Sequence, residues 1–472
     1  MERVRPEFVR GMKITHALRL PHLPRLAAVG AGGKSSLLFQ VGRELLADKP
    51  EPVRCVLLTT STHLASWQGR LADRQVVVET PEQVESLDDS IFSGLVVISG
   101  AEGCDQRLAG LDEATLEKLC EVAEQKNLPL LIEADGSRMR SLKAPGDHEP
   151  VIPGVAKQVV ICAGMSGLGK PLSAEWVHRP ERFARLAGLE VGQPITTAAM
   201  QTVLAHSEGG LKNIPPGASK RLVLTQADTP ELQAQAAWLA EKLLQYYDNI
   251  LICRGEALGE DAESLYQLVV TRVVEPVAGI VLAGGGATRF GQAKQLLDWQ
   301  GKPFVRQVAE TALQAGLSPV VVVVGAQAEK VRMVVEDLPV QVVENIAWEG
   351  GQATSTQCGI QALGEKSGAA IFLLSDQPQV TVPLIQSLVE RHQQRLAKII
   401  APLIDGQRGN PVLFDRDTFA DFASLRLEQG GRALFSCYTV EWLPWHDAGL
   451  LMDVDTPEDY ARLVRHYHKG AG

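Results

Sequence analysis

Short β-branched, apolar runs alternate with amphipathic stretches along nearly the whole chain, and no other feature of the sequence restricts the fold as strongly. In the first half the strand-like runs are LAAVG (26–30), RCVLLTT (54–60), QVVVE (75–79), GLVVIS (94–99), PLLIEAD (129–135), QVVICAG (158–164), RLVLTQAD (221–228) and NILICRG (249–255). Helical patterns such as ELQAQAAWLAEKLLQYY (231–247) separate several of them. Strands that alternate with helices must pair in parallel, because each crossover buries its apolar stripe on a face of the sheet. After TRVVEPV (271–277) the pattern restarts with GIVLAG, PVVVVVG (319–325), VQVVEN (340–345), AAIFLLSD (369–376) and KIIAPLID (398–405). That restart beside Glu275 and Pro276 predicts two doubly wound α/β domains, residues 1–275 and 276–472. The 472-residue length agrees, since a single core stops growing beyond roughly 250–300 residues.

Composition excludes several function classes. A formal net charge of −10 argues against a nucleic-acid binder, whose affinity comes from Lys and Arg displacing condensed counterions. The seven Cys include no CxxC pair, which speaks for scattered thiols of a reducing compartment and against a disulfide framework or a zinc site. No apolar run approaches the length of a membrane span, and MERVRPEFVRGMKI lacks the apolar core of a signal peptide. The expectation is a cytoplasmic protein that engages neither nucleic acid nor membrane.

In the second half, GIVLAGGGATRFGQAK (279–294) follows a strand, and ligands of α/β sheets sit beyond the carboxyl ends of strands. Gly284, Gly285 and Gly286 let consecutive backbone N–H groups approach an anion, and Arg289 and Lys294 add charge-assisted contacts. A tight turn with solvated cations is the plain alternative. Asp376 ends the buried run AAIFLLSD, where it either caps a turn or faces the same rim. Asp453 and Asp455 follow a further apolar run in GLLMDVDTPEDY, whose TPED predicts a helix start. Carboxylates together with triphosphate oxygens are how Mg²⁺ is commonly held, so the set describes a nucleotidyltransferase.

Residues 277–468 resemble the molybdenum cofactor nucleotidyltransferases, most closely the cytidylyltransferase (MocA-like) branch, and so imply a Rossmann-like domain with a mostly parallel sheet. The blocks that carry the resemblance are LAGGGATRFGQAKQLL (282–297), NIAWEGGQATSTQCGIQAL (345–363), LLSDQPQVT (373–381), RGNPVLF (408–414) and LLMDVDTPEDYARL (450–463). It implies attack of the molybdopterin phosphate on the α-phosphorus of CTP, with pyrophosphate released. In that reading the loop amides, Arg289 and Lys294 hold the triphosphate, and Asp376 acts with Asp453 on Mg²⁺. Asp455 is the substitute ligand, and Arg408 and Asn410 face the molybdopterin. One departure concerns the base. LAGG is closer to guanylyl-transferring relatives, whereas many cytidylyl enzymes carry LAAG, so GTP stands beside CTP.

In the first half, AAVGAGGKSSLLFQVGREL (27–45) has the strand, glycine loop and helix order of a phosphate-binding loop. Ala28 stands where the Walker pattern has its first glycine, so Gly30, Gly32 and Gly33 must do the bending. Lys34 would then reach the β- and γ-phosphates and Ser35 Mg²⁺; an ordinary strand-to-helix turn is the plain alternative. LPLLIEADGS ends with Glu133 and Asp135, a strand-end carboxylate arrangement suited to Mg²⁺. Thr225, Gln226 and Asp228 are similar to the NKxD base-reading motif with its Asn and Lys replaced, and an ordinary strand-end turn explains Asp228 equally well.

This half, over residues 20–256, resembles the selenium-dependent hydroxylase accessory proteins (YqeC-like). It does so through GAGGKSSL (30–37), LTTSTHL (58–64), EADGSRMRSLKAPGDHEPVIP (133–153) and GKPL followed by VHRPE (169–181). The resemblance implies a P-loop-like domain that binds ATP or GTP and helps mature molybdenum hydroxylases, with transient contact to a xanthine-dehydrogenase-type hydroxylase or its chaperone. Thr60, Thr62 and His63 are candidates to line that site, with turn formation as the alternative, and His148 is a candidate to touch substrate or metal, with a plain loop hydrogen bond as the alternative. Two other readings remain: a sugar- or polyol-phosphate nucleotidyltransferase, because fold alone does not set function, and a non-catalytic, nucleotide-switched cofactor chaperone.

Overall fold

The structure, a computed structural model, describes residues 11–48, 52–104, 106–257, 266–285, 293–426 and 429–468. It divides into two compact units, Met1–Val274 and Glu275–Gly472.

The main sheet of the first unit has nine strands: β1 (Arg25–Gly30), β2 (Cys55–Thr60), β3 (Arg74–Val77), β4 (Gly94–Ser99), β5 (Leu130–Glu133), β6 (Gln158–Gly164), β7 (Ser219–Thr225), β8 (Asn249–Ala257) and β9 (Tyr266–Val274). Their order is β9-β8-β7-β6-β1-β5-β2-β4-β3. Every neighbouring pair is parallel except β8 with β9. The central strands are buried on both faces, which explains why LAAV and VLL read as continuous apolar runs and not as alternating ones. TRVVEPV, read from sequence as a link, contributes its first four residues to the antiparallel strand β9, whose nine residues lie against β8.

The second unit carries β10 (Val277–Ala283), β11 (Val320–Val324), β12 (Gln341–Glu344), β13 (Ala369–Leu374), β14 (Ile399–Ile404), β15 (Gln407–Arg408), β16 (Val412–Asp415) and β17 (Val440–Pro444). The sheet order is β12-β11-β10-β13-β16-β14-β15, with β17 beside β14. Strands β12, β11, β10 and β13 are mutually parallel, whereas β16 runs against both β13 and β14. The sheet is therefore mostly parallel with an antiparallel insertion. Among the described residues no helix is long and apolar enough to cross a membrane.

In each unit the glycine loop leaves a strand in the middle of the sheet. Strand order reverses on either side of β1 and of β10, which opens a crevice at their carboxyl ends.

Candidate functional site

In the first unit β1 ends at Gly30, and the helix Lys34–Ala47 begins three residues beyond Ala31. Gly30, Gly32 and Gly33 have φ of +91°, +83° and +130°, a region that favours glycine. At Gly32 a Cβ would stand 2.7 Å from the Gly164 nitrogen and 2.9 Å from the Ser141 carbonyl oxygen, so the loop is seated directly on neighbouring backbone. The Thr225 hydroxyl donates to the Gly32 carbonyl. The Gln226 amide oxygen accepts from the Ser166 hydroxyl at 2.6 Å. Thr225 thus braces the glycine loop, and Gln226 the neighbouring turn at Ser166. Asp228 is exposed and accepts from the Gly255 amide at 2.8 Å, closing a turn.

Lys34 is buried, and its Nζ donates to the Gly30 carbonyl at 2.8 Å. It lies 3.1 Å from Asp135 Oδ1 and 3.8 Å from Glu133 Oε1. Burial disfavours the ammonium form, but the two carboxylates outweigh it and hold the Lys34 pKa above its ordinary value. The Ser35 hydroxyl donates to Glu133 Oε2 at 2.7 Å, and burial raises the Glu133 pKa despite Lys34 and Ser35. A hydroxyl and a carboxylate in contact, beside a lysine and beneath backbone N–H groups, suit Mg²⁺ with a triphosphate. Asp135 sits differently from its sequence-based role as a metal ligand: its Oδ2 accepts from the Gly30 amide at 2.9 Å and lies 2.9 Å from Lys143 Nζ. Thr60 donates to the Glu133 carbonyl at 2.9 Å and supports the end of β5, while His63 and His148 are exposed.

In the second unit Gly284 and Gly285 follow β10, and Gly286 and Arg289 lie outside the described residues. Lys294 opens a short 3-10 turn, and its Nζ is 2.5 Å from Asp455 Oδ1. Asp376 stands two residues past β13, on the strand beside β10. Its carboxyl is pushed above the usual range by burial and by the charges of Asp453 and Asp455, against the opposing pull of Lys294. An excess of negative charge at a strand end is what a divalent cation would relieve. The three carboxylates do not converge within 4.8 Å of one another as a group. A pair with phosphate and water oxygens is sufficient for Mg²⁺, and Asp455 is already engaged by Lys294.

Asp453 follows a 3-10 turn, Ala448–Leu451, and not a strand as its apolar lead-in suggests. Two buried glutamines position it. Gln377 Nε2 donates to Asp453 Oδ1 at 3.2 Å, and Gln379 Nε2 donates to the Met452 carbonyl at 3.1 Å. The helix Pro457–His468 then anchors the segment. Thr456 and Asp459 bond reciprocally at its start, and Leu463 and Val454 pack with Trp299 and Phe304. Glutamines in SDQPQ carry no separate signal in the sequence, so their bracing role is visible only in the fold.

Arg408 and Asn410 line a pocket that also contains Leu282, Leu374, Arg432 and Phe435. Leu282 and Leu374 each precede a rim residue, Gly284 and Asp376, by two positions, so the pocket opens at the same sheet edge. The Arg408 guanidinium lies 5.1 Å from the Phe435 ring centre. Its pKa is lowered by burial and by the like charge of Arg432. Neither arginine has a carboxylate in ion-pair range among the described residues. Arg432 was not singled out by sequence reasoning, because a lone Arg after two glycines reads as a solvated turn.

Residues 279–464 match the family described as "MobA-like NTP transferase domain", and residues 26–181 match the family described as "YqeC protein". The protein YqeC of Escherichia coli (strain K12) is 31% identical over 196 residues, spanning 41% of this chain and 72% of that protein. The first unit belongs to the YqeC family, the second to the MobA-like NTP transferases. Two relatives cover the MobA-like unit. Nicotine blue oxidoreductase of Paenarthrobacter nicotinovorans is 30% identical over 197 residues, 40% of this chain and 96% of that one. The Bacillus cytotoxicus protein named "Probable molybdenum cofactor guanylyltransferase" is 30% identical over 203 residues, 40% of this chain and 98% of that one. The MobA-like unit is thereby a member of the nucleotidyltransferase superfamily.

Proposed function

We propose that the MobA-like unit transfers CMP from CTP to the terminal phosphate of molybdopterin, and that the YqeC unit is a P-loop-like, NTP-binding accessory domain for maturing a molybdenum hydroxylase. The single observation that carries this reading is the pair of arginines, Arg408 and Arg432, facing one pocket without a described carboxylate partner, at the sheet edge that also holds Gly284 and Asp376. A pocket of that kind suits an anionic acceptor beside a triphosphate. Phe435 and Phe414, on its wall, suit a flat ring system.

A phosphate oxygen of the acceptor attacks the α-phosphorus, the bond to the bridging oxygen of the β-phosphate breaks, and pyrophosphate leaves. Such a step needs alignment and charge neutralisation more than a covalent nucleophile. Arg408 and Asn410 orient the acceptor, with Arg432 supplying the second positive charge. Lys294 and the loop amides bear on the triphosphate, together with Arg289 from the sequence-based reading. Asp376 and Asp453 would hold Mg²⁺, which would supply charge neutralisation for the triphosphate oxygens. The named guanylyltransferase relative keeps GTP beside CTP as donor.

The test is incubation of the protein with molybdenum cofactor, Mg²⁺ and each NTP in turn. Pyrophosphate release with CTP above the other bases supports the reading, and absence of release with every base rejects it. Competition by sugar and polyol phosphates separates the acceptors, because a true molybdopterin site should ignore them.

A further inference from the structure

The YqeC unit holds a second buried lysine at its glycine loop, and nothing in the reading above gives it a role. Lys143 belongs to a two-residue strand, Leu142–Lys143, paired with Val177–His178. Its Nζ lies 2.9 Å from Asp135 Oδ2 and 2.6 Å from Glu149 Oε2, and donates to the Gly136 carbonyl at 2.6 Å. Its side chain is 1% exposed. All three donors of the ammonium group are therefore directed, as a buried charge requires.

Asp135 is shared. It lies between Lys143 and Lys34 while also accepting from the Gly30 amide. The lysine of a phosphate loop reaches the β- and γ-phosphates, so the position of Lys34 Nζ marks the distal end of the triphosphate. Lys143 stands on the other side of the same carboxylate. A small cavity adjoins the pair, lined by Gly30, Asp135 and Lys143 on one side and by apolar residues such as Ile161, Phe183 and Met200 on the other. Behind Lys143, Glu149 is held by two bonds from Arg179, at 2.7 and 2.8 Å. Arg179 in turn begins the helix Pro180–Ala187.

We propose that Lys143 is the γ-phosphate-recognising cation of the YqeC unit. It rests on Asp135 and Glu149 until a γ-phosphate arrives, and so makes the site prefer nucleoside triphosphates to diphosphates. This rests on the reading of Gly30–Ser35 as the nucleotide loop. Lys34 serves both nucleotides through the β-phosphate, whereas Lys143 meets only the third phosphate. One charge-assisted hydrogen bond gained or lost corresponds to about tenfold in affinity.

The experiment is calorimetric titration of the full chain with MgATP, MgADP, MgGTP and MgGDP. Binding that Lys34→Ala removes is assigned to the YqeC unit. If wild type and Lys34→Ala bind alike, the loop reading itself fails. Where Lys34-dependent binding is present, Lys143→Gln keeps donors for Asp135 and Glu149 but loses the charge. It is expected to weaken triphosphate binding about tenfold, with diphosphate binding changed less than twofold. Lys143→Arg keeps the charge and is expected to restore at least half of that loss on a logarithmic scale. If the Gln variant does not fold, Lys143→Met, which also removes the charge, carries the test on the same triphosphate-to-diphosphate ratio. An unchanged ratio in the folded charge-removing variant, or equal weakening for both nucleotides, overturns the proposal.

Discussion

Replacing Asp376 with Asn should move stability and catalysis in opposite directions. The carboxyl of Asp376 is held above its ordinary pKa by burial, helped by Asp453 and Asp455 and opposed by Lys294. A carboxyl whose folded pKa is raised contributes stability that is fully present below its unfolded pKa and lost as pH rises through the folded value. Metal-free wild type therefore gives up stability as Asp376 ionises, and Asp376→Asn, uncharged and of the same shape, does not. Its metal-free melting temperature at neutral pH should equal or exceed that of wild type. Ligand-linked stabilisation should behave in the reverse sense. At a ligand concentration about a hundredfold above Kd, binding is worth about 3 kcal/mol, or roughly 6–12 °C for a unit of this size. The variant should lose most of that Mg²⁺- and NTP-dependent rise. Loss of one preorganised electrostatic contact at the reacting phosphates typically costs about 10²–10³ in kcat. The assays are pyrophosphate release and thermal unfolding with Mg²⁺ or EDTA. A variant that turns over within about twofold of wild type, or keeps the full Mg²⁺-dependent rise, would show that Asp376 does not hold the ion.

Three further expectations concern the supports of the two sites. Gly32→Ala should destabilise the YqeC unit by at least about 2 kcal/mol, from left-handed strain and from contacts with backbone that cannot rotate away, and urea unfolding followed in that unit reads it. Gln379→Ala should lower kcat about tenfold with a smaller change in the KM for NTP, because the buried amide fixes the loop that carries Asp453; equal loss in both parameters would refute that role. In the YqeC unit, burial raises the Glu149 carboxyl, but hydrogen bonds and charges from Arg179 and Lys143 prevail and hold it at about 2. Its contribution is present above about 4.5 and lost as pH falls toward 2. Burial and the neighbouring Arg179 and Lys143 push His178 down to about 4. Its neutral form therefore adds stability above about 6.5 that fades as pH falls toward 4. Glu149→Gln should remove only the lower of these two acid transitions, as read by urea midpoints across pH 7 to 2.

Much of the architecture was legible from period alone, because parallel strands covered on both faces must be nearly continuous apolar runs. LAAVG, GLVVIS and QVVICAG became strands with ends at or within one residue of those read. Antiparallel segments were harder. Residues 272–274 of TRVVEPV pair with β8, and Val412–Asp415 runs against β13; nothing in a short β-branched run states which direction its partner takes. At the sites, glycine loops and strand-end carboxylates were readable because their spacing from a strand is local. Lys143, Glu149 and Arg179 were not, because the network that joins them spans 36 residues between Lys143 and Arg179 and depends on charges that only the fold brings together. Thr225 and Gln226 show the same limit from the other side. Their placement at a strand end resembled base recognition, yet the fold turns Thr225 onto the glycine loop and Gln226 onto Ser166.

The claim that each unit holds its own triphosphate is tested most directly by the stoichiometry of MgNTP binding to the intact chain. Calorimetry should count two nucleotides per chain, falling to one with Lys34→Ala and to one with Asp376→Asn, and to none with both. A count that stays at one or zero in wild type, or is indifferent to Lys34→Ala, would contradict the account.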